Sequence, residues 1–310
     1  MRISICLCIE VCYQRVKNIA MKVCGFTIVR NAIKYGYPVA ESIRSVLPMC
    51  DRFIVAVGKS EDNTLELISS IDSPKIKIIE TEWDESLRSE GRVLAAETNK
   101  AMDAIGSEFD WCFYIQADEV IHEKYYPEIK NQMNLWKDTP EVEGLLFKYL
   151  HFWGTYEYVG TNRMWYRNEI RIVRNDKSIR SYKDAQGFRK NDRKLNVKPI
   201  DAYVYHYGWV RSPDTIREKM SSFHALYHSG EKLKEKQKKS EKFDYSQVGS
   251  VRRFTGSHPQ VMKPMIDKLD WHVDFDVSRK NLDFKEYLLF LFEKVFGYRL
   301  FEYKNYKILK

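Results

Sequence analysis

Four apolar segments in the first half of the chain have the pattern of buried strands, and each of them ends in polar residues. These segments cover residues 23–29, 53–57, 75–80 and 111–115. Helical patterns follow them, over residues 39–47, 64–71, 90–105 and 125–136. Because strands and helices alternate at this pitch, the pattern predicts right-handed βαβ units and a parallel sheet.

The polar residues after these strands predict a ligand site at one edge of the sheet. Open α/β sheets bind ligands outside the carboxyl ends of their strands. In this chain the residues expected at that edge are Arg30, Asp62, Asp84, Asp118 and Glu119. Burial would penalise the adjacent carboxylates Asp118 and Glu119 unless a cation paired with them. They indicate either a divalent cation site that also binds a phosphorylated ligand or the start of a helix, whose dipole favours acidic residues.

Composition narrows the class of protein. A chain of 310 residues is long enough for one large or two smaller domains. Its 44% hydrophobic and 14% aromatic residues argue against disorder. The formal net charge of +8 favours anionic partners such as phosphorylated ligands, acidic lipids or nucleic acid. No apolar run approaches the roughly 20 residues that a membrane-spanning helix needs.

The cysteines and the N-terminal segment indicate the cellular compartment of the protein. The six cysteines show no paired Cys-x-x-Cys zinc spacing, which favours free thiols and a cytoplasmic setting. The apolar part of residues 1–20 is short and interrupted by Glu10, so it does not have the pattern of a secretory signal. Since the first strand follows Met21-Lys22 directly, we expect the functional chain to begin at Met21 and residues 1–20 to be an appendage.

The strand-end motifs resemble a known family. In chain order they are Val29-Arg30-Asn31, residues 50–57, residues 60–64 and residues 116–119. Together they resemble the nucleotide-sugar half of family-2 glycosyltransferases, which have the GT-A fold. The resemblance covers roughly residues 22–125, and residues 205–209 (Tyr-His-Tyr-Gly-Trp) are also similar to the close of the catalytic domain in some members.

The resemblance implies an α/β fold of the GT-A (Rossmann-like) type, with a mostly parallel sheet flanked by helices and a helical C-terminal extension. The implied catalytic domain covers residues 21–212, divided into a nucleotide-sugar half (21–125) and an acceptor half (126–212). A helical basic region follows at 213–310. The implied reaction moves a sugar from a nucleotide-diphosphate donor to a saccharide or lipid-linked acceptor, with inversion and metal assistance, in surface polysaccharide or glycoconjugate synthesis.

The resemblance also implies the site residues. Mg²⁺ or Mn²⁺ would be held by Asp118, Glu119 and His206. The nucleotide sugar would be bound by Arg30, Asn31, Ser60, Asp62, Asp84, Arg88, Arg92 and Gln116. Two departures leave metal dependence and the nucleobase open, because Gln116 replaces the first acid of the family's Asp-x-Asp signature and Gly58 stands where an Asp is common.

Other interpretations of these residues stay open. His206 has the alternative of a buried structural histidine. Arg88 and Arg92 are four residues apart, hence on one face if a helix begins near Ser86, and a solvated basic face is their alternative. A non-catalytic nucleotide-sugar binder is the alternative for the whole chain. A nucleic-acid-binding protein is a weaker alternative, because the sequence has no recognisable pattern of that class, and we expect no nucleic-acid partner.

The catalytic base is sought among the acids of the acceptor half. An inverting transfer needs a carboxylate within hydrogen-bond reach of the acceptor hydroxyl. Asp184, in a polar loop before Gly187, is the first candidate. Glu169 is the second, because Arg167 and Arg171 on the same strand face would lower its pKa and weaken it as a base.

The C-terminal region carries two further patterns. Residues 232–242 are a lysine-rich charge run typical of a boundary or a flexible arm. Residues 283–310 have the pattern of an amphipathic helix followed by an aromatic basic tail. This segment either packs against the catalytic domain or lies on an anionic membrane surface, which would be peripheral contact at the inner face of the membrane.

Overall fold

In the computed structural model, which describes residues 20–84, 86–87, 89–228 and 230–310, the four apolar segments form the parallel part of one sheet. The strands are β1 (Val23–Val29), β2 (Arg52–Gly58), β3 (Ile76–Thr81) and β4 (Trp111–Tyr114). They lie in the order β3-β2-β1-β4, and all neighbours run parallel. The predicted α/β class with parallel βαβ units is therefore confirmed.

Helices flank both faces of this sheet. They are α1 (Val39–Val46), α2 (Thr64–Ser69), α3 (Arg92–Asp103) and α4 (Tyr126–Trp136). Alternate residues of β1 and β2 point to opposite faces, so one set of strand side chains packs with α1, α2 and α4 and the other packs with α3. Helix α3 begins at Arg92 because Glu90 has a φ of 56°, a left-handed conformation that interrupts the helix. A helix from near Ser86, the condition for placing Arg88 and Arg92 on one helical face, is therefore interrupted at Glu90.

The second half of the chain extends the sheet with mixed strands. These are β5 (Glu119–Ile121), β6 (Gly144–Trp153), β7 (Tyr158–Gly160), β8 (Asn168–Arg174) and, later, β12 (Asn196–Trp209). Strand β8 is antiparallel to both β4 and β6, and β6 is parallel to β12. Strand β12 therefore runs in the same direction as β1–β4, and its carboxyl end reaches the same edge of the sheet.

A small sheet and the C-terminal region complete the fold. The small sheet contains β9 (Ile179–Tyr182), β10 (Gly187–Lys190) and β11 (Arg193–Lys194). The C-terminal helices are α5 (Pro213–Ala225), α6 (Gly230–Glu241), α7 (Lys263–Asp267) and α8 (Phe284–Phe296). Two short strands, β13 (Val251–Arg253) and β14 (Lys307–Ile308), pair with β7 and β12.

Two expectations about the C-terminal region can be compared with this structure. The lysine-rich run forms most of helix α6. Within the described residues, no helix is both long and apolar enough to cross a membrane. The predicted domain limits stay predictions.

A buried ion pair connects β5 with β8. Glu119 and Arg171 are both fully buried and form two hydrogen bonds of 2.7 Å. The Tyr149 hydroxyl also donates to the Glu119 carboxylate at 2.8 Å, and the backbone N–H of Gln116 donates to it at 3.1 Å. Arg171 donates in addition to the carbonyl oxygen of Gln186 at 3.0 Å. Because these hydrogen bonds satisfy both charges, the interior tolerates the pair.

We expect Glu119→Gln to lower the free energy of unfolding by about 3–5 kcal/mol, because it leaves the Arg171 charge buried without its counterion. Urea denaturation measures this change. The matched control is Asp103→Asn, which breaks the exposed ion pair of Asp103 with Arg180; its expected loss is below about 1 kcal/mol. Equal losses in the two variants would contradict the special role of the buried pair.

Candidate functional site

A cleft of about 840 Å³ opens at the carboxyl ends of the strands. Residues 28–31 at the end of β1, residues 116–118 after β4 and residues 206, 208 and 209 of β12 line it. Helix α5 contributes Lys219, and the turn before β10 contributes residues 184–186. Elements that are far apart in the chain therefore meet at the edge that the strand pattern predicts.

Asp118 is the cleft carboxylate that follows strand β4. Its Oδ2 lies 3.3 Å from the Nζ of Lys219, and its Oδ1 lies 3.6 Å from the Nε2 of His206. Burial by itself would raise the pKa of Asp118, but Lys219, His206 and Arg211 outweigh burial and lower this pKa to about 2. Asp118 is therefore ionised throughout the physiological pH range.

A chain of hydrogen bonds sets the protonation of His206. The Nε2 of His151 lies 2.8 Å from the carbonyl oxygen of Tyr166, so it carries a proton. Burial lowers the pKa of both histidines, which are therefore neutral. The Nδ1 of His151 must then accept the proton of the His206 Nδ1, 3.1 Å away. The Nε2 of His206 is left with a lone pair beside the Asp118 carboxylate.

Lys219 has no sequence signal that separates it from the other basic residues of the C-terminal region. The packing of α5 against the end of β12 places its Nζ 2.8 Å from the carbonyl oxygen of Gly208, to which it donates a hydrogen bond. Burial lowers the pKa of Lys219 to about 8. The cleft therefore contains a fixed basic group beside Asp118 that the sequence did not identify.

The residues at this point fit a divalent cation. A Cβ added at Gly208 would lie 2.8 Å from the Asp118 Oδ2 and 2.7 Å from the His206 Nε2, so glycine keeps the space beside both donors open. A carboxylate oxygen and a neutral imidazole nitrogen are both metal ligands. No cluster of three or more His, Cys, Asp or Glu side chains that could hold an ion occurs among the described residues. An ion bound here would therefore share its coordination with a ligand.

Asp184 lies at the tip of the turn between β9 and β10. Its neighbours Lys183 and Ala185 have φ values of 53° and 59°, which is strained backbone for residues other than glycine. The side-chain amide of Gln116 donates to the carbonyl oxygen of Ala185 at 3.4 Å. Burial raises the pKa of Asp184 above its ordinary value, and the backbone N–H of Gln186 donates to its Oδ1 at 3.4 Å. The strained turn thus presents a partly buried carboxyl group to the cleft.

The residues predicted to bind the nucleotide sugar divide into two groups. Arg30 and Asn31 line the cleft, and the Arg30 guanidinium lies 5.6 Å from the ring centre of Trp83, a lining residue that the sequence analysis missed. Ser60 accepts a hydrogen bond from the backbone N–H of Asn31 at 3.0 Å. Asp62 likewise accepts from the backbone of the loop after β1. Ser60 and Asp62 therefore hold the loop that carries Arg30 and Asn31.

Several predicted residues lie outside the cleft. Both oxygens of Glu119 are occupied by its buried partners. Asp84 is exposed, and hydrogen bonds from Ser86 lower its pKa. Arg92 is exposed and lies 3.9 Å from Glu90. Arg88 lies outside the described residues.

Glu169 lies in a second pocket of about 600 Å³, which shares Met164, Trp165, Tyr166 and Gln186 with the cleft. Burial raises the pKa of Glu169 to about 8 although Arg171 opposes the shift. The expectation that the flanking arginines lower this pKa is therefore wrong. The reason is that Arg171 is paired with Glu119, and Arg167 is paired with Glu302 at 2.6 Å.

No family model and no curated protein matches the chain. Solved structures with partly similar folds include S. aureus TarS, with 16% identity, a TM-score of 0.38, and 66% of this chain and 39% of TarS covered. The 4-diphosphocytidyl-2C-methyl-D-erythritol synthase from Anaerococcus prevotii has 10% identity and a TM-score of 0.39, and the match covers 65% of this chain and 96% of the synthase. The Mycobacterium tuberculosis glucosyl-3-phosphoglycerate synthase, crystallised with Mn²⁺, UDP and phosphoglyceric acid, has 14% identity and a TM-score of 0.29, and the match covers 44% of this chain and 45% of the synthase.

These likenesses concern the fold alone. The chain spans less than half the length of TarS and of the M. tuberculosis synthase. The similar structures include nucleotide-sugar transferases, the class that the strand-end motifs resemble. They assign no substrate, metal or mechanism to this chain.

We expect Glu169→Gln to stabilise the protein more at alkaline pH than in acid. The folded state keeps the Glu169 proton up to a pKa of about 8, whereas the ordinary value is 4.5. Between these pH values the unfolded state has lost the proton and the folded state retains it, so the stability of the parent falls as the pH rises. Glutamine cannot ionise and avoids this loss.

Thermal unfolding at pH 5 and pH 9 measures the effect. We expect the melting temperature of Glu169→Gln to exceed that of the parent by several degrees more at pH 9 than at pH 5, since about 1 kcal/mol corresponds to 2–4 °C in a protein of this size. Glu157→Gln, at a glutamate with 61% side-chain exposure, is the matched control and should change neither value. The same difference at both pH values would show that Glu169 is not the group responsible.

Proposed function

We propose that this chain is a metal-assisted glycosyltransferase that moves a sugar from a nucleotide-diphosphate donor to an acceptor hydroxyl. The observation that carries the proposal is the convergence of the Asp118 carboxylate and the His206 imidazole at the carboxyl ends of their strands. Two protein donors with space beside them suit a cation that is shared with phosphate oxygens. The strand-end motifs, which resemble nucleotide-sugar transferases, supply the substrate class.

The donor would lie along the end of β1. Arg30 presents a guanidinium, which suits phosphate oxygens, and Trp83 presents an aromatic face in the same part of the cleft. Asn31 is held at this position through Ser60 and Asp62. Gln116 lines the cleft on the other side of β1 and also holds the turn that carries Asp184. These residues would orient the donor before transfer.

The metal set that we propose contains Asp118 and His206 and omits Glu119, whose carboxylate oxygens are already occupied. Mg²⁺ or Mn²⁺ held there would neutralise the charge that develops on the departing diphosphate. Lys219 would add fixed positive charge at the same point, because its Nζ already lies beside the Asp118 carboxylate. The low pKa of Asp118 and the neutral state of His206 keep both donors in the form that binds a cation.

Asp184 is the proposed catalytic base, and Glu169 in the neighbouring pocket is the second candidate. During an inverting transfer, the acceptor oxygen forms a bond to the anomeric carbon while the bond from that carbon to the diphosphate breaks. The Asp184 carboxylate would take the proton of the acceptor hydroxyl. Because burial raises its pKa, Asp184 is a stronger base than an exposed aspartate.

The biological setting follows from the same proposal. Transfer to a saccharide or to a lipid-linked acceptor would place the enzyme in surface polysaccharide or glycoconjugate synthesis. The described cysteines Cys24, Cys50 and Cys112 are buried and free. Free thiols are usual in a reducing compartment, which supports a cytoplasmic location.

We expect nucleotide sugars to raise the melting temperature of the parent protein in the presence of Mn²⁺ and to do so much less in its absence. A ligand that binds only the folded state stabilises it, so the nucleotide sugar in a panel that raises the melting temperature most would be identified as the donor. Asp118→Asn should lose this Mn²⁺-dependent shift and its transfer activity while remaining folded without ligand. Excess EDTA should inhibit the parent.

The matched control for Asp118→Asn is Asp201→Asn, because the Asp201 side chain is 79% exposed and pairs only with Lys148 among the contacts described. It should behave as the parent does. Full activity in EDTA would rule out the metal role. Binding of a nucleotide sugar with neither hydrolysis nor transfer would favour the non-catalytic binder.

We expect Asp184→Asn to reduce turnover by at least about 100-fold, the usual contribution of a general base, while donor binding stays within about twofold of the parent. In the parent, kcat/KM should rise with pH through a pKa above the ordinary range of aspartate, because the base acts in its ionised form. Turnover within tenfold of the parent would exclude Asp184 and direct the same test to Glu169.

A further inference from the structure

Helix α8 exposes a continuous apolar face to solvent. Phe284, Tyr287, Leu288, Leu291 and Val295 recur at the spacing that places side chains on one side of a helix. They are exposed, with values of 79% for Phe284, 50% for Leu288 and 73% for Val295. Phe301, just beyond the helix, is 87% exposed. Contiguous apolar surface of this kind marks an interaction site in a folded protein.

The opposite side of α8 is attached to the rest of the protein. Glu293 forms ion pairs with Arg163 at 3.3 Å and with Arg299 at 2.9 Å, and Arg167 binds Glu302 just after the helix. A capping box of Asp283 and Glu286 begins the helix. The helix is therefore oriented by polar contacts on one side, and its apolar side is left without a partner among the described residues.

Charge is distributed unevenly around this helix. Residues 279–310 contain eight Lys or Arg and four Asp or Glu. All four acids are committed to the capping box or to the inward ion pairs. Lys285 and Lys294 are exposed. Around the helix axis, at 3.6 residues per turn, Lys285 lies about 100° to one side of Phe284 and Lys294 lies about 80° to the other side. Positive charge thus borders the apolar face on both sides.

We propose that α8 and the segment after it dock on the surface of an anionic lipid bilayer. An apolar stripe bordered by lysines is the pattern of a helix that lies in the plane of the membrane interface. A second copy of the chain fits this face less well, because a twofold contact would bring the lysine borders of both copies together. The 13 residues of α8 are too few to span a bilayer.

The docking segment also belongs to the pocket beside the cleft. Lys285, Leu289 and Phe301 contribute to the wall of the pocket that contains Glu169, and Trp165 and Tyr166 line both this pocket and the cleft. On the proposed function, and resting on it, docking would favour a lipid-linked acceptor over a saccharide in solution. Docking itself does not require that the chain be an enzyme.

Co-sedimentation of the full chain with vesicles tests the docking. We compare vesicles of phosphatidylcholine alone with vesicles that contain about one third phosphatidylglycerol, without any substrate. The parent should bind the anionic vesicles at least about tenfold more strongly, and this preference should weaken as salt is added. The double variant Leu288→Glu, Val295→Glu should lower the partition coefficient at least about tenfold, because both side chains would enter the interface.

Leu135→Glu is the matched control, since Leu135 is 58% exposed and belongs to a different helix, α4. It should bind vesicles as the parent does. Absence of parent binding to anionic vesicles, or equal loss in Leu135→Glu, would overturn the proposal. A dimer in light scattering that the double variant dissociates would overturn it in favour of a second copy.

The double variant also separates this proposal from the proposed function. Its side chains lie outside the cleft, so its Mn²⁺-dependent stabilisation by nucleotide sugars should equal that of the parent. Loss of vesicle binding with this shift retained supports docking. Vesicle binding in a protein that binds no nucleotide sugar would leave the docking intact and contradict the proposed function instead.

Discussion

The buried pair of Glu119 and Arg171 is the interaction on which the cleft depends. Ionised groups are tolerated in a protein interior only when a counterion and hydrogen bonds replace the lost water. Glu119 follows β4, and Arg171 is on β8 and also binds the turn before β10 through the carbonyl of Gln186. Satisfying these two charges therefore requires three elements that are distant in sequence to meet. The same meeting brings Asp118 and Asp184 to one cleft.

This constraint also decides which of two adjacent carboxylates is available to a ligand. Glu119 has both oxygens occupied by protein groups, whereas the nearest side-chain partners of Asp118, His206 and Lys219, belong to β12 and α5. Burial favours neutral His206, and its contact with His151 then leaves the Nε2 lone pair toward Asp118. The result is an ionised carboxylate, a neutral imidazole and a lysine around one space. Such a combination suits a cation and the phosphate oxygens that accompany it.

Much of the fold and part of the site could be predicted from the sequence, because they depend on local pattern. The apolar strands and the helices between them appear within one or two residues of their expected limits. The reason is that the spacing of apolar residues along the chain indicates which side chains of an element are buried. Parallel strands end at one edge, so the pattern predicts Arg30, Asp62, Asp84 and Asp118 near one another, and the structure places Arg30 and Asp118 in the cleft. Asn31 and Gln116, which the family resemblance implies, also line it. His206 and Asp184 line it as well.

The remaining properties were decided by contacts between residues far apart in the chain. Whether Glu119 or Asp118 faces a ligand, which nitrogen of His206 carries its proton, and why the pKa of Glu169 is raised all depend on partners supplied by other strands. Lys219 joins the site only because α5 packs against β12. The apolar face of α8 stays exposed because polar contacts hold its other side. Sequence alone determined the helices and strands and their order. The tertiary structure determined hydrogen-bond partners and burial, and these set the charge of each site side chain and whether it is available to a ligand.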